Sequence, residues 1–176
     1  MEEFQIHSHY DHKSLKTMSR VLRKTVRRKR NIAFRIFGWA VVALEVLTEA
    51  ALVMIDAFSL DFGNVLTILA GVFMLVVLLF EDDLNGWIAK LSLMPGTREA
   101  DTHFGPEEYV VTTQAAETRM HYENISVLGE TKDSFVFIIG KRHAQQFPKD
   151  GLSEGTPEQF RDFIAEKTGL SVWYVK

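Results

Sequence analysis

The most apolar segment of the chain spans residues 64–80 and has the sequence NVLTILAGVFMLVVLLF. Together with Phe62 and Gly63 it approaches the roughly 20 apolar residues that an α-helix needs to cross a bilayer. It carries no charged residue, and an apolar run of this length is unusual in a small soluble domain. These residues therefore predict a membrane-spanning helix.

A second apolar run precedes it at residues 32–55, long enough to span although it contains Arg35, Glu45 and Glu49. The intervening turn contains Asp56 and Asp61 and no basic residue. Two apolar runs joined by so short a turn predict a transmembrane helical hairpin at residues 32–80.

Charge is distributed unevenly on the two sides of this hairpin. Residues 1–31 carry nine Lys and Arg and three Asp and Glu, a net charge of +6, whereas residues 81–176 carry ten and sixteen, a net charge of −6. Short Lys- and Arg-rich segments remain on the cytoplasmic side. We therefore expect a multi-pass protein of the cell (inner) membrane with both termini in the cytoplasm.

Two further features of the sequence concern export and the redox compartment. The first thirty residues are charged throughout, so we expect no cleavable signal peptide. The absence of cysteine excludes disulfides and thiolate sites, and it fits a reducing cytoplasm.

Residues 1–31 are predicted to form a short strand followed by a basic amphipathic helix that continues into the first membrane helix. Apolar residues recur at spacings of three and four from Leu15 to Val26. The basic residues would lie at the level of anionic lipid headgroups. Either they only set the topology, or they contact anionic lipid; the residues concerned are Arg23, Lys24, Arg27, Arg28, Lys29 and Arg30.

Residues 81–97 are predicted to form an interfacial linker that contains Trp87 and ends at Pro95-Gly96. From residue 98 the pattern changes to short strands, and a helix opens at Thr156-Pro157 and ends at Gly169. The predicted strands are 101–104, 108–113, 117–122, 126–130, 134–139 and 143–147. The expected class is therefore an α+β membrane protein whose cytoplasmic domain, residues 98–176, is an antiparallel β-sheet or barrel of pleckstrin-homology-like type with a C-terminal helix.

Five short motifs occur in the region of predicted strands and the last helix. They are Phe104-Gly105 leading into Glu108-Tyr109-Val110-Val111, then Tyr122-Glu123-Asn124-Ile125, Phe135-Val136-Phe137-Ile138-Ile139, Phe147-Pro148-Lys149 and Thr156-Pro157-Glu158-Gln159-Phe160. These motifs resemble those of the bacterial YcxB-like proteins. The resemblance implies a short N-terminal strand, a basic stretch, two membrane helices and a small pleckstrin-homology-like domain. It implies no biochemical activity.

Glu45 and Glu49, with Thr48 between them, are the polar residues that would lie inside the membrane. The two carboxylates are four residues apart and share one helix face. Three interpretations remain open: a proton or cation path, hydrogen bonding between helices within the hairpin or between protomers, or proximity to the outer interface; Thr48 and Thr67 are candidate hydrogen-bond partners.

The remaining polar residues show no catalytic signature. His7, His9 and His12 with Asp11 predict either a solvated strand end or a metal site, and no further ligand set is visible. Phosphate loops, nucleophile elbows and zincin motifs are absent. Lys141-Arg142 is the one adjacent basic pair in the predicted sheet, which argues against headgroup recognition there. We expect no enzyme activity, no cofactor and no bound metal.

The function expected from this pattern is a membrane-anchored, non-enzymatic interaction or scaffold module that forms homo-oligomers. It would contact anionic headgroups and a protein partner, and no nucleic acid. One alternative is a small transport or channel subunit that uses Glu45 and Glu49. A further alternative is a membrane immunity or regulatory protein.

Overall fold

The computed structural model describes residues 3–141 and 143–176. Residues 1, 2 and 142 lie outside this description, so the basic pair named above is described only at Lys141.

Two long helices, α2 (Arg28–Met54) and α3 (Phe62–Leu91), form the hairpin. Asp61 caps α3, because its carboxylate accepts a hydrogen bond from the Asn64 backbone N–H at 3.0 Å. Both helices are long and apolar enough to cross a membrane, and 11% of each apolar window is buried. They are therefore candidate membrane spans, unlike the mostly buried core helix of a soluble protein.

Helix α3 changes direction at Phe80, where the backbone is non-helical (φ −113°, ψ 23°). The kink falls at the end of the apolar run and before the acidic residues Glu81, Asp82 and Asp83. Residues 81–91 are therefore a helical extension of the hairpin, and the predicted linker 81–97 is largely helix.

The basic amphipathic helix α1 (His12–Lys24) is separate from α2. The predicted continuity is wrong, because a turn at Thr25 breaks the helix (φ −112°, ψ −94°). The Thr25 backbone N–H and hydroxyl both donate to the Val21 carbonyl, at 3.0 and 2.6 Å. This turn lets α1 pack on the soluble domain while α2 leaves in another direction.

Two four-stranded sheets form the soluble domain. The first is antiparallel, in the order β1-β2-β3-β4, and consists of β1 (Phe4–His9), β2 (Glu99–Phe104), β3 (Glu108–Thr113) and β4 (Glu117–His121). The second has the order β7-β6-β5-β8 and consists of β5 (Ile125–Glu130), β6 (Ser134–Ile139), β7 (His143–Pro148) and β8 (Val172–Tyr174). The six strands predicted after residue 98 are confirmed to within two residues, whereas β8, which pairs parallel to β5, was missed.

Strand β1 belongs to the soluble domain, since it pairs with β2 from Phe4↔Phe104 to His9↔Glu99. The helical hairpin is therefore inserted between the first two strands of one sheet. The predicted domain boundaries at residues 31 and 98 assign β1 and the other strands to different domains. These strands share one core, because Phe4 and Ile6 are buried with residues from both sheets.

Helix α4 (Pro157–Thr168) covers an aromatic core between the sheets. Thr156 and Gln159 form a reciprocal capping box, and Gly169 ends the helix at φ 65°. The core contains Phe4, Phe104, Tyr109, Phe135, Phe137, Phe147, Phe160 and Phe163. The predicted C-terminal helix and its cap are confirmed.

The opposite face of β6 packs against α1. Val136 and Ile138 form a second apolar cluster with Leu15, Met18, Val21 and Leu22. The approach is close, because a Cβ placed on Gly129 of β5 would lie 2.6 Å from Val21 Cγ1. On its other side α1 contacts the α3 extension, where a Cβ on Gly86 would lie 3.0 Å from the Lys16 backbone nitrogen. Glycine at these two positions lets α1 fit between the sheet and the hairpin.

Candidate functional site

Ion pairs connect α1 to the α3 extension, and we call this group the junction cluster (Lys16, Arg20, Arg23, Asp82 and Asp83). Arg23 binds Asp82 with two hydrogen bonds, Nε–Oδ1 at 2.7 Å and Nη2–Oδ2 at 2.6 Å. Lys16 Nζ donates to Asp83 Oδ1 at 2.5 Å, and Arg20 Nε lies 3.5 Å from Asp82 Oδ2. The hydrogen bond from Arg23 to Asp82 raises the pKa of Arg23 above its ordinary value.

Burial distinguishes the Arg23–Asp82 pair from an ordinary surface ion pair. The Arg23 side chain is 18% exposed and that of Asp82 is 12% exposed. Bidentate geometry and partial burial both strengthen such a contact relative to a solvated pair. The junction cluster therefore holds α1, and with it the second sheet, to the base of the hairpin.

The two long helices meet at Asn31 and Glu81. With its amide oriented so that nitrogen faces the acid, Asn31 donates to both carboxylate oxygens of Glu81, at 2.8 and 2.9 Å. Arg23 Nε lies 3.8 Å from Glu81 Oε2 on the other side. This contact links the beginning of one apolar run to the end of the other.

Beside this contact lies a cavity of about 420 Å³, which we call the junction cavity. All three helices α1, α2 and α3 line it. Its lining consists of Ser19, Leu22, Arg23, Arg27, Arg30, Asn31, Phe34, Glu81, Asn85 and Ala89.

The six basic residues predicted to contact lipid have different surroundings. Arg23 is paired with Asp82, and Lys24 Nζ donates to the Lys176 backbone oxygen. Arg27 and Arg30 line the junction cavity and form no ion pair within residues 3–141 and 143–176. Arg28 and Lys29 are exposed and lie outside the cavity lining. Contact with anionic lipid stays a prediction for all six residues.

Glu45 and Glu49 face different surroundings within the hairpin. The Glu45 carboxylate lies against Gly71 of α3, in the space that a Cβ at this position would occupy. Glu49 Oε2 is buried and has no hydrogen-bond partner among the described residues.

The structure shows no hydrogen bond from Thr48 or Thr67 to these two glutamates among the described residues, so the suggested hydroxyl partners stay a prediction. Thr48 donates to the Leu44 carbonyl at 2.9 Å, and Thr67 donates to the Gly63 carbonyl at 3.0 Å. Each hydroxyl thus bonds its own helix four residues back, which leaves Glu45 and Glu49 without the predicted contacts.

The three N-terminal histidines do not converge. His7 Nδ1 lies 2.7 Å from Asp101, His9 lies 3.7 Å from Glu99, and His12 lies 3.6 Å from Asp83. Within the described part of the chain, no group of three or more His, Asp or Glu residues has a metal-binding arrangement.

Sequence reasoning missed a buried ion pair at Glu130, the last residue of β5. Glu130 is 2% exposed; Arg161 of α4 donates to it at 2.6 and 2.7 Å, and Lys149 donates at 2.6 Å. Burial raises the pKa of Glu130, but the hydrogen bonds from Arg161 and Lys149 outweigh it, so the net pKa is lowered. The group fixes α4 on the second sheet. A charged residue at the end of an otherwise apolar strand was the available signal.

Comparison with known protein families gives a match in the second half of the chain. Residues 104–164 match the YcxB-like protein family, from the end of β2 into α4. The two apolar helices precede this region in the chain. Comparison with curated proteins and with solved structures gives no match.

Proposed function

We propose that the chain, whose residues 104–164 match the YcxB-like protein family, is a membrane-anchored, non-enzymatic interaction or scaffold module on the cytoplasmic face of the inner membrane. The observation that carries the proposal is the position of the hairpin between β1 and β2, with α1 held on both sides. An anchor inserted in this way gives the soluble domain a defined orientation at the membrane, which a flexible tether would not.

The dimensions of the apolar helices support membrane insertion. At 1.5 Å per residue, residues 32–55 of the first run extend about 36 Å and residues 62–80 about 28 Å, against a hydrocarbon core of about 30 Å. Basic residues 23–30 lie at one end and the acidic turn at the other, so the rule for Lys and Arg places both termini in the cytoplasm. Trp87 is 56% exposed just beyond Phe80, a position that suits the membrane interface.

For the soluble domain we propose a pleckstrin-homology-like barrel. Two antiparallel-rich sheets followed by a helix support this, as do the contact of β1 with β7 and the bridge between Ile6 and Leu152, which bring the two sheets together at one side.

The edge strand β8 is the surface that we assign to partner binding. It lies at the end of the second sheet, and its Trp173 and Tyr174 are 52% and 68% exposed. Exposed sheet edges pair with strands of other chains, and Trp and Tyr are enriched in protein interfaces. The partner would be a second copy of this chain, which forms the homo-oligomer, or another protein.

In vivo photo-crosslinking tests this assignment. A photoreactive residue at Trp173 should give a discrete adduct in intact membranes, whereas one at the exposed loop residue Glu154 should give none. Adducts at both positions in equal yield would contradict a specific surface at β8. A strictly monomeric protein in mild detergent, with no adduct at Trp173, would contradict the interaction function itself.

The second candidate is a transport subunit, which the unpartnered Glu49 carboxylate oxygen favours. A buried acid without a partner is costly in a membrane and marks functional sites. Liposomes containing the protein should then show pH-dependent cation flux that E45Q/E49Q abolishes. Absent flux, or flux unchanged in the double variant, would contradict this function.

A further inference from the structure

We propose that the junction cavity binds the phosphate group of one anionic phospholipid, with Arg27 and Arg30 as its ligands. The inference rests on the proposed insertion of the hairpin and adds a specific site to it. It also separates these two arginines from the remaining basic residues at the base of the hairpin, which would act only through their charge.

The charge balance of the cavity leaves two cations available. The charged groups that face it are Arg23, Arg27, Arg30 and Glu81. Arg23 is held by Asp82, while Glu81 accepts two hydrogen bonds from Asn31 and lies near Arg23. Arg27 and Arg30 therefore have no counter-ion in the described part of the chain, and a bound anion would supply one.

The beginning of α2 adds to this preference for an anion. Arg27 is the N-cap residue, its side chain makes no capping hydrogen bond, and the first turn contains no acidic residue. The N-terminal end of a helix carries partial positive charge, although here the first N–H group, that of Arg28, is bonded to the Thr25 carbonyl at 3.2 Å. The dipole of α2 therefore adds to the positive charge of Arg27 and Arg30, whose guanidinium groups can donate to phosphate oxygens in a planar fork.

Two uncharged polar residues complete the lining. Ser19 from α1 and Asn85 from α3 contribute a hydroxyl and an amide. Neither side chain hydrogen-bonds another group within residues 3–141 and 143–176, so both can bind a headgroup. Donors thus reach the cavity from all three helices.

The location favours a lipid over free phosphate. The cavity lies beside the contact between Asn31 and Glu81, where both apolar runs end, and this is the level of lipid phosphates if the hairpin spans the bilayer. Phe34 forms its apolar side and is 40% exposed, so acyl chains could continue along α2. Basic pockets between helices at the cytoplasmic side are suited to anionic headgroups.

Lipid retention by the full chain tests the site. The protein would be reconstituted in phosphatidylcholine with a minor fraction of phosphatidylglycerol, re-extracted in mild detergent, and its bound phosphatidylglycerol counted by native mass spectrometry. We expect the unsubstituted protein to retain one molecule, and R27Q/R30Q to lower its occupancy by about tenfold or more, since two charge-assisted contacts are lost.

The matched control is R28Q/K29Q, which removes the same charge from adjacent, exposed positions outside the cavity. It should retain phosphatidylglycerol to within about twofold, since only the diffuse attraction of the basic segment changes. Equal losses in the two double variants would overturn the site and leave non-specific attraction. No loss in either variant would also overturn it.

Two further measurements distinguish a lipid site from a phosphate site, and failure of the cavity proposal from failure of the anchor function. Inorganic phosphate and glycerol phosphate should not displace the bound phosphatidylglycerol, and displacement by either would overturn a lipid site in favour of a soluble phosphate. Flotation with vesicles of phosphatidylcholine alone reports insertion. Failure of the unsubstituted protein to float would contradict the anchor function, whereas flotation without selective retention would contradict only the cavity.

Discussion

Substitution of Arg23 or Asp82 should loosen the contact between α1 and the α3 extension and lower the stability of the whole protein. The pair is bidentate, and its side chains are 18% and 12% exposed, between the solvated and the buried extremes. Loss of one partner from a solvated pair costs at most about 1 kcal/mol, and from a buried pair about 3–5 kcal/mol. We therefore expect R23Q and D82N each to cost about 2 kcal/mol, which corresponds to a decrease of about 4–8 °C in Tm for a chain of this size.

A double-mutant cycle isolates the contribution of the contact. Thermal unfolding in one detergent would be measured for R23Q, D82N and R23Q/D82N, and we expect a coupling free energy of about 1–2 kcal/mol. The control is the exposed pair of Arg119 and Glu108, 3.2 Å apart, whose coupling should stay below about 0.5 kcal/mol. If the effects of R23Q and D82N add to within about 0.5 kcal/mol, the assignment of the junction cluster as a structural connection is wrong.

Three further predictions concern other parts of the molecule. G71A would occupy the space of the Glu45 carboxylate, which ends a flexible side chain and can rotate away, so we expect it to cost less than about 1 kcal/mol and to cost no more in an E45A background; a much larger decrease in Tm that E45A relieves would refute this and show that the carboxylate is held in place. Because the chain has no cysteine, S59C and S153C are unique labelling sites: an impermeant maleimide should label S59C in intact cells and S153C only after lysis, and the reverse pattern would contradict the topology. E130Q should cost about 3 kcal/mol at neutral pH. The folded pKa of Glu130 lies below the ordinary 4.5, so its contribution is present above pH 4.5 and is lost as the pH falls through the folded value; acid unfolding curves of E130Q should therefore be flatter in that range, and parallel curves would refute this role.

Local signals predicted the strands and the last helix well. Strand β3, for example, contains alternating residues bounded by turn residues, and its limits at Glu108 and Thr113 are as predicted. Helix α4 has its cap, its first-turn proline and its terminal glycine in the expected order. Such elements depend on neighbours within a few residues, and these are visible in the sequence.

The errors involve contacts between distant residues. The apolar periodicity of α1 runs on to Val26, yet the chain turns at Thr25, because packing on β6 and on the α3 extension outweighs local helix propensity. Strand β8 has three residues and pairs with β5, more than 40 positions earlier, so no local pattern indicates it. Nothing in the sequence indicates what the acids after Phe80 contact, and only the fold shows Asp82 and Asp83 bound to α1.

The amino-acid sequence was sufficient to identify two apolar segments, a basic lead-in and a β-rich domain, because hydrophobicity, charge and alternation are properties of the residues themselves. Only the tertiary structure separated Arg23, which pairs with Asp82, from Arg27 and Arg30, which line a cavity and have no ion-pair partner among the described residues. The reason is physical: charge is fixed by residue type, but the availability of a charge depends on which distant carboxylate the fold brings within hydrogen-bonding distance.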